Sequence, residues 1–114
     1  MSVEKKLMTG NTDMLILKLL SGEDMYGYRI IEALRERSNH VFDMKAGTLY
    51  PLLHQLAQKG YLTSYERGVG EARVRKYYHL TQRGANYLAD REKEWQTFAG
   101  AVQGVLGGDG CALA

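Results

Sequence analysis

Apolar residues occupy most positions of NTDMLILKLLSG, residues 11–22. Asn11 or Thr12 can cap a helix there, Asp13 falls in its first turn where the helix dipole favours an acid, and Gly22 supplies a stop. The pattern predicts a short, largely buried helix. In MYGYRIIEALRERSNH, residues 25–40, Ile30, Ile31 and Leu34 recur with helical spacing beside Arg29, Glu32, Arg35 and Glu36. An amphipathic second helix is predicted, ending near Ser38 and Asn39, with a loop through Val41 to Met44. Within KAGTLYPLLHQLAQKGYL, residues 45–62, Leu49, Leu52, Leu53 and Leu56 stand at i, i+3, i+4 and i+7, and Gly60 ends a third helix.

The period then changes. YLTSYERGVGEARVRKYYHLT, residues 61–81, holds two strand-like runs at 61–67 and 73–80, rich in Tyr, Thr and Val and joined by the glycine-bearing GVGEA. It predicts a basic two-stranded hairpin. Thr81 can cap a long helix from about Gln82 to Leu106, after which GGDGCALA is too rich in glycine and small residues to hold structure. The expected fold class is mainly α with a small β-hairpin. Three helices running into a two-stranded wing make a winged helix-turn-helix over residues 1–80, followed by a C-terminal dimerisation helix at 81–106 and a disordered tail at 107–114.

The third helix raises a question of its own, because it holds the chain's only proline. With its leucines turned to one face, Gly47, Pro51, His54 and Gln58 centre on the other, flanked by Tyr50 and Gln55. Lys and Glu would be expected on a merely solvated face. Little charge and several small or hydrogen-bonding groups suit a helix laid in a major groove. Gly47 and Thr48 at its start let the backbone approach a phosphate. If Thr48 is the cap, Pro51 falls in the first turn and loses nothing; if the helix begins near Ala46, Pro51 forfeits one bond to Gly47 and bends the start. An ordinary core helix with an early proline would read similarly, so the neighbouring wing decides.

Charge supplies that decision. The chain has 114 residues and a net charge of +2, but residues 45–83 hold seven basic and two acidic side chains, +5, leaving −3 elsewhere. A basic segment on a nearly neutral protein points to a localised anionic partner. Arg73, Arg75 and Lys76 precede Tyr77 and Tyr78, with Arg67 across the turn, and they can reach phosphates or a minor groove. A charged edge strand that resists aggregation has the same composition. The two roles are compatible.

Length and 45% hydrophobic content fit one compact domain. No run is long enough to span a bilayer, no cleavage site follows MSVEKK, and a single cysteine, Cys111, fits a reducing compartment, so a cytoplasmic protein is expected. His40, His54 and His79 share no metal-ligand spacing with one another or with Cys111, GVG at 68–70 lacks the context of a dinucleotide fingerprint, and no nucleophile, base and orienter stand together. Catalysis, metals and cofactors are not expected.

Two passages, GTLYPLLHQLAQKGYL and RKYYHLTQRG, together with YGYRIIEAL in the second helix, closely resemble the PadR family of bacterial transcriptional regulators. The resemblance runs from about Thr12 to Trp95. It implies a dimeric repressor released from double-stranded DNA by a small aromatic or cationic compound or another signal, of the short type with a single C-terminal helix. By position, Thr48, Tyr50 and His54 fall on the recognition helix and Arg75 and Lys76 on the wing. The chain departs from the family with Lys45 where a small polar cap is frequent, and Val74 where a proline stands between two wing arginines. With a bacterial regulator in view, the terminal CALA is an accidental match to a prenylation signal.

In the last helix Leu88, Trp95 and Val102 repeat every seven residues, with Phe98 and Val105 between them, and Arg91 interrupts the row. At 1.5 Å per residue the helix is roughly 37 Å long, more than so small a domain covers. Its seam calls for a second chain, with Arg91 pairing to Asp90, Glu92 or Glu94 across it, and an inverted-repeat operator follows from the two-fold geometry. Trp95 reads first as a dimer anchor. A second reading, by similarity to short family members, has Trp95, Phe98, Met8 and Leu15 lining a cleft that stacks a planar aromatic effector. A function of another class, a winged-helix module docking protein through the same faces, would bind DNA weakly and only through salt-sensitive contacts.

Overall fold

The computed structural model describes residues 10–107. The chain runs α1 (Thr12–Gly22), β1 (Met25–Tyr26), α2 (Gly27–Arg37), α3 (Ala46–Gln58), β2 (Leu62–Gly70), β3 (Arg73–Leu80) and α4 (Gln82–Leu106). The two-stranded wing of the sequence reading is thus part of a three-stranded antiparallel sheet, ordered β1-β3-β2. Met25 and Tyr26, expected at the head of the second helix, instead pair with Tyr78 and Tyr77. Two residues carry no legible period, and their partner strand lies some fifty positions away.

The core lies between α1, α2, α3 and one face of the sheet, with Ile16, Leu17, Ile30, Leu49, Leu53 and Leu62 fully buried. Register sorts the sheet by parity. Leu62, Tyr78 and Met25 are buried in the core cluster with Leu80 packed against it. Tyr26, Tyr65, Arg67, Arg75, Tyr77 and His79 share the opposite face.

Helix α3 begins at Ala46 with Lys45 in the cap position, and the Lys45 carbonyl accepts from Thr48 N at 3.0 Å and Leu49 N at 2.9 Å. Thr48 is therefore inside the helix. Pro51 stands within it, and the Gly47 carbonyl forgoes its usual donor at a place where both residues are exposed to water. The helix closes as the sequence suggests. Gly60, at φ +83°, and Tyr61 donate to Ala57 O and Leu56 O, both at 3.0 Å, which satisfies the last carbonyls.

The hairpin is tighter than expected. Gly68, Val69 and Gly70 belong to β2, the pairing shifts register between Gly68 and Gly70, and Ala72 turns the chain at φ 58°. Thr81 caps α4, its hydroxyl accepting from Gly84 N at 2.9 Å and donating to Gly60 O at 2.7 Å. A side chain at Gly84 would strike the Tyr61 carbonyl, so glycine lets α4 seat against the end of α3.

Helix α4 leads a double life. Its first half packs on α1 through Leu88 and a Lys18–Glu92 ion pair at 3.2 Å, and Tyr87 stacks on Tyr61, just beyond α3, at 4.3 Å. Leu88, expected in the dimer seam, is only 5% exposed within its own chain's core, so it is not available to a second chain. Arg91, also expected to reach across that seam, pairs within the chain with Glu94 at 3.1 Å and Asp13 at 3.7 Å, and donates to the Gly10 carbonyl. From Trp95 onward the helix leaves the domain, and the molecule measures 64 × 33 × 21 Å. Residues 108–114 of the expected tail, and Met8, lie outside the described residues.

Candidate nucleic-acid interface

Between Lys45 and Lys59, helix α3 has no Asp, Glu, Lys or Arg. Burying Leu49, Leu53 and Leu56 leaves Gly47, Thr48, Tyr50, Pro51, His54, Gln55 and Gln58 exposed, and Lys45 and Lys59 mark the two ends. The face offers hydrogen-bonding groups and small surfaces that a DNA groove can approach without meeting a repelling charge. Tyr50 is less free than its neighbours. It is 48% exposed, yet its hydroxyl end lies where a side chain on Gly27 would be, so glycine at the start of α2 leaves the ring its place.

Tyr50 thereby closes one wall of a cleft of about 630 Å³ between α3, the start of α2 and the wing, lined by Tyr26, Tyr28, Arg73, Arg75 and Lys76 among others. The cleft joins Tyr50, assigned from the sequence to the helix, to Arg73, Arg75 and Lys76, assigned to the wing. Two of its tyrosines were missed. Tyr26 hid in the unrecognised β1, and Tyr28, 60% exposed, was passed over as part of an amphipathic helix; an aromatic on the polar side was the available signal. Burial pushes the Tyr78 phenol above its usual range, and neighbouring Tyr50 pushes it the same way.

The wing cations are held against rings. Arg75 lies over Tyr26 at 4.1 Å, Arg67 over Tyr77 at 4.0 Å and the Lys76 ammonium 5.9 Å from Tyr78. At the wing's base Asp24 accepts from Tyr65 at 2.7 Å and meets His79 Nδ1 at 2.9 Å. Burial alone would raise the Asp24 pKa, but the bonds to Tyr65 and His79 and the charge of Arg67 outweigh it and hold the carboxyl below its ordinary value.

Trp95 and Phe98 are 42% and 61% exposed, with ring centres 6.0 Å apart, on the free half of α4. Leu15 borders a different groove of about 220 Å³ between α1 and α2, together with Leu19, Leu34 and Phe42. Val102 and Val105 continue the exposed apolar row, Val105 at 87%. Among the described residues no group of three or more His, Cys, Asp or Glu could hold a metal ion, and no helix is long and apolar enough to cross a membrane.

Comparison with known proteins agrees with this geometry. The chain is 36% identical over 93 residues to a protein of Lysinibacillus sphaericus, covering 82% of this chain and 85% of that protein. The structure of a transcriptional regulator from Clostridium thermocellum superposes with a TM-score of 0.80 at 31% identity, covering 89% of this chain and 95% of the other. A PadR family transcriptional regulator from Eggerthella lenta gives 0.75 at 34% identity, covering 89% and 86%. The model of the transcriptional regulator PadR-like family matches residues 16–90, and the chain belongs to that family, whose members are regulators of transcription and not enzymes.

Proposed function

We propose that this regulator is a cytoplasmic, homodimeric repressor that reads an inverted-repeat operator through α3 and grips the duplex backbone with its wing. The observation that carries the reading is the junction of an uncharged, exposed helix face with a cationic, tyrosine-lined cleft. In this division of labour Thr48, His54 and Gln55 meet base edges, while Lys45, Arg73, Arg75 and Lys76 meet phosphates. Gly47 and Pro51 keep the helix start slim against the groove, and Tyr50 serves the cleft.

Residues 10–80 then act as the DNA-binding unit and α4 as the dimerisation element. The exposed row of Trp95, Phe98, Val102 and Val105 favours a second copy of the chain, because large apolar side chains along a projecting helix are costly to leave in water. A planar aromatic effector would sit near Trp95 and Phe98 in the assembled dimer and release DNA by altering the spacing of the two recognition helices.

Selection of a randomised duplex library on the purified protein at physiological salt tests the reading. Enrichment of an inverted repeat with half-sites about one helical turn apart is expected. Binding without enrichment, together with capture of a protein partner on the α3 face, would replace it with the docking-module reading. Titrating planar aromatic compounds while following Trp95 emission tests the effector, which is ruled out if compounds that release DNA leave the emission unchanged.

A further inference from the structure

Arg67 on β2 and Arg75 on β3 are register partners and occupy the same face of the sheet. Like charges placed directly opposite one another destabilise a strand pair. Neither arginine makes an ion pair among the described residues. Asp24 feels the charge of Arg67 but spends its oxygens on Tyr65 and His79. The sheet therefore holds two adjacent guanidiniums, with the nearby Asp24 charge offsetting part of that of Arg67 and no carboxylate paired directly to either among the described residues.

Their setting explains how they are held. Arg67 lies 4.0 Å from the Tyr77 ring centre and Arg75 lies 4.1 Å from that of Tyr26. Tyr26 meets Tyr77 edge to face at 5.5 Å, and Tyr65 stacks on Tyr77 at 5.8 Å, so the rings form one continuous base. A guanidinium lying on a ring is restrained in direction, while the N–H groups along its edge stay free to fork onto a phosphate.

We propose that Arg67 and Arg75 form a phosphate-binding pair on the wing, with Tyr26 and Tyr77 as positioning residues that hold the two guanidiniums in place. Arg75 also lines the cleft beside α3, so the pair extends the candidate interface across this face of the wing to the register partner Arg67. The ligand in the cell rests on the DNA-binding reading above and is a phosphodiester of the duplex backbone. Free phosphate shares the chemistry and is the alternative source.

Duplex binding followed by fluorescence anisotropy across a salt series separates these roles. Arg67→Gln is expected to reduce the slope of log K against log salt by roughly 0.9, the loss of one phosphate contact. Tyr26→Leu keeps every charge, so the slope stays while affinity for any sequence falls about two- to fivefold. Tyr26→Phe keeps the ring and is expected to bind as the wild type does, which separates positioning from a fold defect. A full slope in Arg67→Gln, or a loss in Tyr26→Phe equal to that in Tyr26→Leu, overturns the proposal.

A second arm titrates inorganic phosphate at constant ionic strength while following the Nε–Hε signals of both arginines. A saturable shift assigns the pair to free phosphate as well, and a shift with duplex alone assigns it to the DNA backbone. No shift with either overturns the pair. If the wild type shifts with phosphate but binds no duplex, the DNA reading falls and the pair stands.

Discussion

Tyr87 donates its phenol to the Asp13 carboxylate at 2.5 Å, tying the first half of α4 to the first turn of α1 across 74 positions of sequence. Burial first, then the bond to Asp13, pushes the phenol up to about 12. A group whose folded pKa is raised stabilises the fold below its unfolded value, and that contribution is lost as pH climbs through the folded value. The tie is therefore fully present below about pH 10 and fades towards pH 12. Urea unfolding of wild type and Tyr87→Phe should differ by about 1–1.5 kcal/mol at neutral pH, and the gap should close between pH 10 and 12. A gap that persists there would mean the hydroxyl is not the stabilising group.

Asp24 gives the opposite sign. Its carboxyl is held below the ordinary value because the bonds from Tyr65 and His79 and the charge of Arg67 exceed the effect of burial. Its contribution is present above the unfolded carboxylate pKa and disappears as pH falls through the lower folded value. Asp24→Asn should therefore be less stable than wild type at pH 6 and equal to it near pH 2. Chemical-shift titration of the Asp24 carboxyl carbon checks the direction independently, and a midpoint above that of an exposed aspartate would refute it.

The elements that could be read from the sequence were those whose signal is local. Leucines at i, i+3, i+4 and i+7 placed α3, Gly60 stopped it, and Thr81 capped α4, because each depends on residues within one or two turns. What escaped depends on distant partners. Strand β1 exists because Tyr77 and Tyr78 present a free edge to Met25 and Tyr26. Leu88 looked like seam by its heptad spacing, but α1 had already claimed that face of α4, and no spacing rule distinguishes a neighbour in the same chain from one in another. The residues proposed for the interface could be named one by one from their chemistry, while the cleft joining helix to wing became visible only when Tyr50 met Gly27 in space.

That meeting makes Gly27 a test of the cleft. An alanine methyl there would collide with the hydroxyl end of Tyr50, the tip of a half-exposed side chain that can swing aside. Gly27→Ala should thus cost little in thermal stability yet remodel the cleft wall, weakening DNA binding about as much as Tyr50→Ala does. The double variant should be no weaker than either single one, since contacting residues are non-additive. Additive losses in a double-mutant cycle would show that Gly27 and Tyr50 act separately.

Helix and wing should fail differently when cut back. His54→Ala removes a group from the uncharged face of α3, so specific affinity should fall by about 1–3 kcal/mol with base preference relaxed at one position and the salt slope intact. Arg75→Ala should weaken binding to every sequence alike and lower the salt slope by roughly 0.9. Competition between the selected operator and random duplex at several salt concentrations reads both quantities. An unchanged slope in Arg75→Ala would remove the wing from the interface.

The free half of α4 decides whether one chain is enough. Phe98 at 61% and Val105 at 87% exposure stand along the same projecting row as Trp95 and Val102, beyond the reach of the domain that anchors Leu88. If a second copy covers this row, Phe98→Asp with Val102→Asp places two charges in an apolar interface and should yield a monomer by sedimentation. The domain itself should remain folded, because neither residue touches its core. Trp95 emission should then shift to the red as the ring becomes wetted, and operator affinity should collapse to that of a single half-site. A double variant that sediments as the wild type does, with Trp95 emission unchanged, would show that the seam lies elsewhere and that the apolar row serves another partner.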